Sequence, residues 1–92
     1  KIYLSGPITG TTDYKERFKA KREELEAQGY VVLDPTYILA DLSWLDYMAI
    51  DLAMLEIADC IYMMKGWRQS AGAKWEHEKA LIWEIPVIYE EN

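Results

Sequence analysis

The sequence is short of the residues that announce several kinds of chemistry. Its single cysteine, Cys60, allows neither a disulfide framework nor a thiolate zinc cluster, and the apolar run around it predicts a buried, inert thiol. Its single histidine, His77, excludes a multi-histidine metal centre, so no metal and no cofactor are expected. His77 and Cys60 fall in separate predicted elements with no third partner, which argues against a serine- or cysteine-type triad. No apolar stretch approaches the ~20 residues of a membrane-spanning helix, and no signal-peptide pattern opens the chain, so a cytoplasmic protein is expected. Basic residues are also in deficit: 10 Lys and Arg stand against 16 Asp and Glu, for a net charge of −6. A polyanion binder needs a basic face. The one cluster, Lys15, Arg17, Lys19, Lys21 and Arg22, is interleaved with glutamates and reads as a solvated helix face with i,i+4 pairs. Nucleic-acid polymers are therefore poor partners, while a single nucleotide remains compatible.

What the chain does have is apolar and aromatic content, 51% hydrophobic with four Trp and seven Tyr. Its 92 residues make a single domain over 1–92. A chain of this size buries only about 60–65% of its unfolded surface, so a homodimer or higher homo-oligomer is expected.

Short apolar runs alternate with longer amphipathic ones. Strands are predicted at 2–5, 30–33, 60–64 and 86–89. Helices are predicted from Thr12 or Asp13 to about Gln28, with Gly29 as the stop, from a Ser43 cap to about Ala58, and from about Ala71 to Trp83. Residues 36–42 read as a loop. Strands alternating with helices imply right-handed crossovers, hence an α/β domain of the flavodoxin-like or Rossmann-like three-layer kind, a parallel sheet of about four strands with helices on both faces. In such sheets ligands bind beyond the carboxyl ends of the strands, where strand order reverses. That rule selects the loops 6–12, 34–42 and 65–72.

Gly6-Pro7-Ile8-Thr9-Gly10 stands between a strand and a helix. It is either a plain tight turn or a place where backbone approaches a phosphate or sugar, with Gly6, Ile8 and Gly10 as the candidates. Ser70-Ala71-Gly72-Ala73 opens the last helix, where Ser70 either caps it or joins the free amides around Gly72 in holding an anion. Glu76 shares a helix face with Ala73, Ala80 and Trp83, and spacing leaves it either solvated or partly buried. Asp51, on the stripe of Met48, Leu52 and Leu55, poses the same question. Asp46 and Glu56 are read as facing solvent, and Asp59 as ending its helix. Two carboxylates reaching one crevice from different helices have the makings of a nucleophile and a proton donor at a glycosidic bond, with Tyr3 placed to hydrogen-bond one of them. At least one of Trp44, Trp67 and Trp75 is expected to flank the crevice, where a ring could stack on a base, with interface or core packing the commoner role for any given one. Trp67, in the loop after the third strand, is the choice.

The segments 2–10, 50–55 with Ala58-Asp59, and 70–76, in this order, resemble the nucleoside 2-deoxyribosyltransferase-like superfamily, and in overall look its small phage and bacterial members. The resemblance covers essentially the whole chain. It implies cleavage of the N-glycosidic bond of a deoxynucleoside or its 5′-monophosphate. Glu76 falls on the nucleophile that forms a covalent glycosyl-enzyme, Asp51 on the acid that helps the departing base, and Tyr3 on the tyrosine that orients the nucleophile. Ser70 falls where transferases for free nucleosides carry Asp and where the monophosphate N-glycosidase branch carries Ser, which leans toward a 5′-phosphorylated ligand. Two other classes stay open beside the enzyme: a module that binds a nucleotide or nucleotide-derived signal without cleaving it, and a small assembly protein with no ligand.

Overall fold

The computed structural model describes residues 1–8, 11–38 and 41–90, so Gly10 lies outside the described residues. Four strands, β1 (Ile2–Ser5), β2 (Val32–Leu33), β3 (Cys60–Met63) and β4 (Val87–Tyr89), form one sheet in the order β2-β1-β3-β4. Every pairing is parallel. Three helices connect them: α1 (Tyr14–Ala27), α2 (Trp44–Ile57) and α3 (Ala71–Ile82). The result is an α/β domain with three layers and flavodoxin-like strand order. No helix of the described residues is long and apolar enough to cross a membrane.

Each face of the sheet has its own core. β1 is central and all four of its residues are buried, as expected of a parallel strand covered on both sides. Strand alternation sends Ile2 and Leu4 toward α1, where they pack with Phe18, Leu25 and Met64. Tyr3, Ile61 and Met63 point the other way and pack against Leu55 of α2 and Ala73 and Ala80 of α3. The narrow apolar stripe of α1 therefore covers one face alone, and α2 with α3 cover the other.

The boundaries differ from expectation where local hydrogen bonds compete. β2 begins at Val32 rather than Tyr30, because the Tyr30 amide donates to the Leu25 carbonyl and closes the end of α1. Within the expected 36–42 loop, Pro35–Tyr37 forms a 3-10 turn, since the Asp34 carboxylate accepts from the Thr36 amide and hydroxyl at 2.9 and 2.6 Å. Arg22 is not part of a solvated face: it reaches back from α1 to pair with buried Asp34 at 2.6 Å. Lys19–Glu23 does follow the i,i+4 surface pattern, whereas Lys21, half-buried, pairs with Glu24 three residues on and with Glu90 just beyond β4. Trp83 does not join the buried face of α3; it follows the last turn and is exposed. Cys60 is half-buried rather than enclosed.

Candidate active site

Because β1 pairs with β2 on one side and β3 on the other, its carboxyl end is the point where the chain's direction of winding reverses. A cavity of about 740 Å³ opens there, within the range usual for small-molecule sites. Its wall is built largely from the starts of the three helices: Tyr14 and Lys15 of α1, Trp44 and Tyr47 of α2, Ala71 and Gly72 of α3. Helix N-termini present unsatisfied amides and partial positive charge, while Asp41, Asp51 and Glu76 bring acidic side chains to the same cavity. Lys15 adds a formal cation to the same wall.

Glu76 reaches the cavity from the buried face of α3 and is 4% exposed. Both of its oxygens are held from β1: the Tyr3 hydroxyl donates to Oε2 at 2.7 Å and the Ser5 hydroxyl to Oε1 at 2.6 Å. Asp51 lines the cavity from α2 and is 8% exposed, and its Oδ1 is buried without a hydrogen-bond partner among the described residues.

Burial is the leading cause of the shifts in this cluster. It lifts Glu76 to about 8, against the Ser5 and Tyr3 hydroxyls, which favour the ionised form; the charge of Asp51 raises it further. Burial lifts Asp51 to about 6, with the neighbouring Glu76 acting in the opposite direction. The two therefore titrate as one pair and share a proton through the neutral range. Burial, followed by the charges of Glu76 and Asp51, keeps Tyr3 protonated and therefore a donor.

Of the residues singled out from sequence, Gly6, Ile8, Ser70, Gly72, Asp51 and Glu76 all line this cavity. A side chain at Gly6 would put its Cβ 2.9 Å from Met64 Cβ, so the close approach of β1 to the chain after β3 requires glycine. Ser70 caps α3, its hydroxyl accepting from the Ala73 amide at 3.2 Å, and also faces the cavity. Tyr3 sits behind Glu76 rather than in the wall.

Trp67 is a correction. It is buried in the core with Tyr3 and Leu55, 4.3 Å from the His77 ring between centroids, and does not line the cavity. The cause is Gly66, whose φ of 87° is left-handed and turns the chain back under α3. Trp44 lines the cavity instead, with its ring stacked on Trp75 at 5.8 Å.

Two contributors escaped the sequence reading. Ser5 was readable in principle: residues two apart share a strand face, so a Tyr3 that meets Glu76 brings Ser5 with it. Asp34, which the sequence reading placed only at the start of the loop 34–42, anchors the wall formed by Pro35 and Thr36. Nothing in its local pattern signals Arg22 twelve residues earlier.

Curated proteins give no match to the chain. Residues 1–89 match a family described as "Domain of unknown function (DUF4406)", and with nearly its whole length included the chain belongs to that family.

Proposed function

We propose that the chain cleaves, or transfers the sugar across, the N-glycosidic bond of a deoxynucleoside or its 5′-monophosphate. The observation that carries the reading is the buried Glu76, both oxygens held by hydroxyls from β1, on a cavity it shares with a second carboxyl whose Oδ1 has no partner among the described residues. In the reaction an ionised Glu76 oxygen attacks the anomeric carbon, and the bond to the base breaks with its electron pair passing to the base nitrogen. The shared proton, which burial keeps on Glu76 in the empty site, must first pass to Asp51, a transfer aided by the Tyr3 and Ser5 hydroxyls because they stabilise the ionised Glu76; Asp51 then delivers it to the leaving base. Water or a second base then attacks the glycosyl ester from the opposite face, Asp51 recovers the proton, and the configuration is retained. Ser70, the start of α3 and Lys15 would receive a 5′-phosphate.

A second reading, a module that holds a nucleotide or nucleotide-derived signal intact, draws on the same burial. A Glu76 lifted to about 8 carries a proton at neutral pH in the empty site and then acts as a hydrogen-bond donor. Base release from deoxynucleosides and their monophosphates, followed by chromatography, separates the two. The glycosidase reading expects release by the wild type, loss of it in Glu76→Gln, and a deoxyribosyl adduct in the intact mass of a quenched reaction. Tight calorimetric binding that survives Glu76→Gln, with no product from any substrate, replaces it with the binding module.

A further inference from the structure

His77 does not line the cavity. It follows Glu76 on α3, so the two side chains leave the helix about 100° apart, and its half-buried ring meets the 3-10 turn Trp67–Gln69 and β4 instead. The Trp67 indole lies 4.3 Å away between centroids, and His77 Nε2 is 2.6 Å from the Tyr89 hydroxyl at the end of β4. One imidazole thus joins the turn after β3 to the last strand.

The Trp67 ring also carries the Arg68 guanidinium, 4.6 Å from its centroid. Its own indole N–H is buried without a hydrogen-bond partner among the described residues, so packing alone locates the ring. Of Arg68, Tyr89 and His77, which all contact it, only His77 changes charge near neutral pH. Trp67 in turn bears on the cavity. Its carbonyl accepts from the Ser70 amide at 3.0 Å, and the Gly66 carbonyl accepts from the Gln69 amide at 3.1 Å. Gln69 and Ser70 both line the cavity, and Ser70 caps α3.

We infer that His77 is a pH-operated latch: neutral, it joins Trp67 to Tyr89 and holds the Gln69–Ser70 wall in place, and protonated, it releases that turn. The charges around the ring set the direction. Arg68 from the turn and Tyr89 from β4 face it. β3 turns Cys60 and Tyr62 to the other side of the sheet, α2 presents Asp51 to the cavity, and Glu90 beyond β4 is bound to the Lys65 amide and to Lys21. On α3 itself Lys74 and Glu78 are exposed, and Glu76 is held by Tyr3 and Ser5. Protonation turns Nε2 from an acceptor into a donor, so the Tyr89 hydroxyl has to reverse its bond. It also sets a second cation against an indole already beside a guanidinium. Burial, and then the Arg68 charge, accordingly hold His77 below its usual value. A lowered histidine contributes stability above its free value of ~6.5, and that contribution is lost as pH falls through the folded value. The latch therefore opens on the acid side, whatever the cavity binds.

His77 is the chain's only histidine, so a proton NMR titration of the intact chain follows its ring directly. The midpoint is expected below ~6.5, and the Gln69 and Ser70 amides are expected to shift with that same midpoint. Arg68→Gln, at an exposed position, removes the opposing charge and is expected to raise the midpoint by roughly 0.3–1 pH units. His77→Phe keeps a ring against Trp67 and is expected to abolish the acid-side shift of the two amides. A wild-type midpoint at or above ~6.5 overturns the latch, as do amides that do not follow His77 or a midpoint unmoved in Arg68→Gln. Amide shifts that persist in His77→Phe overturn it as well, and assign the titration to Asp51 and Glu76.

Discussion

A carboxyl group taken out of water loses several kcal/mol of hydration unless other groups replace it, and at Glu76 the replacements are the hydroxyls of Tyr3 and Ser5. They are not equivalent. Tyr3 comes from the buried aromatic core, while Ser5 is the last residue of β1, beside the cavity. Removing the Ser5 hydroxyl leaves Oε1 buried with no donor, so Ser5→Ala raises Glu76 further. A hydrogen bond to a charged group contributes about 1.5–3 kcal/mol, which corresponds to an upward move of about 1–2 pH units. A carbon-13 titration of the glutamate carboxyls reads this directly, and an unmoved Glu76 resonance in Ser5→Ala removes Ser5 from the account. Activity follows the pair: chemistry needs one proton between Asp51 and Glu76, so base release should peak between about 6 and about 8 and fall on both sides. In Ser5→Ala the alkaline limb should move to higher pH. A profile flat from pH 5 to 9 contradicts the shared-proton mechanism.

At the level of elements, each wall of the cavity hangs on one polar anchor. Ser70→Ala removes the cap of α3 and should cost about 1 kcal/mol, whereas Ser70→Gly should cost only a few tenths. Urea unfolding distinguishes them, and equal losses would mean that the 3.2 Å contact to Ala73 does little. Arg22→Met is the harsher change, because it strands buried Asp34 with only Thr36 as partner. A loss of about 3 kcal/mol is expected, with looser ligand binding as the Pro35–Tyr37 wall loosens. The strands, the helices and the Ser43 and Ser70 caps were legible in the sequence because period and cap chemistry are local signals. The carboxylates at 51 and 76 stood out as odd polar residues on apolar stripes, but spacing alone left open whether they face solvent or the interior. The Arg22–Asp34 pair and the burial of Trp67 were not legible, because each depends on where a turn sends the chain. For Trp67 the deciding quantity is one left-handed dihedral at Gly66, which residue type permits but does not dictate.

For the molecule as a whole, burying two carboxyls at one cavity sets how stability depends on pH. Unfolded, Asp51 and Glu76 return to ordinary carboxylate values near ~4; folded, both lie higher. Between those limits the native protein holds a proton that the unfolded chain has released. Unfolding therefore releases protons, and stability must fall as pH rises. The contribution is complete below about pH 4 and is lost progressively up to about pH 8. The net charge of −6 acts with the same sign, since self-repulsion grows as the remaining groups ionise. A decline on the order of a few kcal/mol between pH 5 and pH 8 is expected, seen as a fall of about 1 M or more in the urea midpoint. Glu76→Gln discriminates the cause. It keeps an acceptor for one hydroxyl and removes the buried charge, so it should be more stable than wild type at pH 8, nearly equal at pH 5, and flatter in between. If wild type instead gains stability over this range, or Glu76→Gln declines as steeply, the carboxyls are not held in the protonated, water-excluded state on which both readings of the cavity depend.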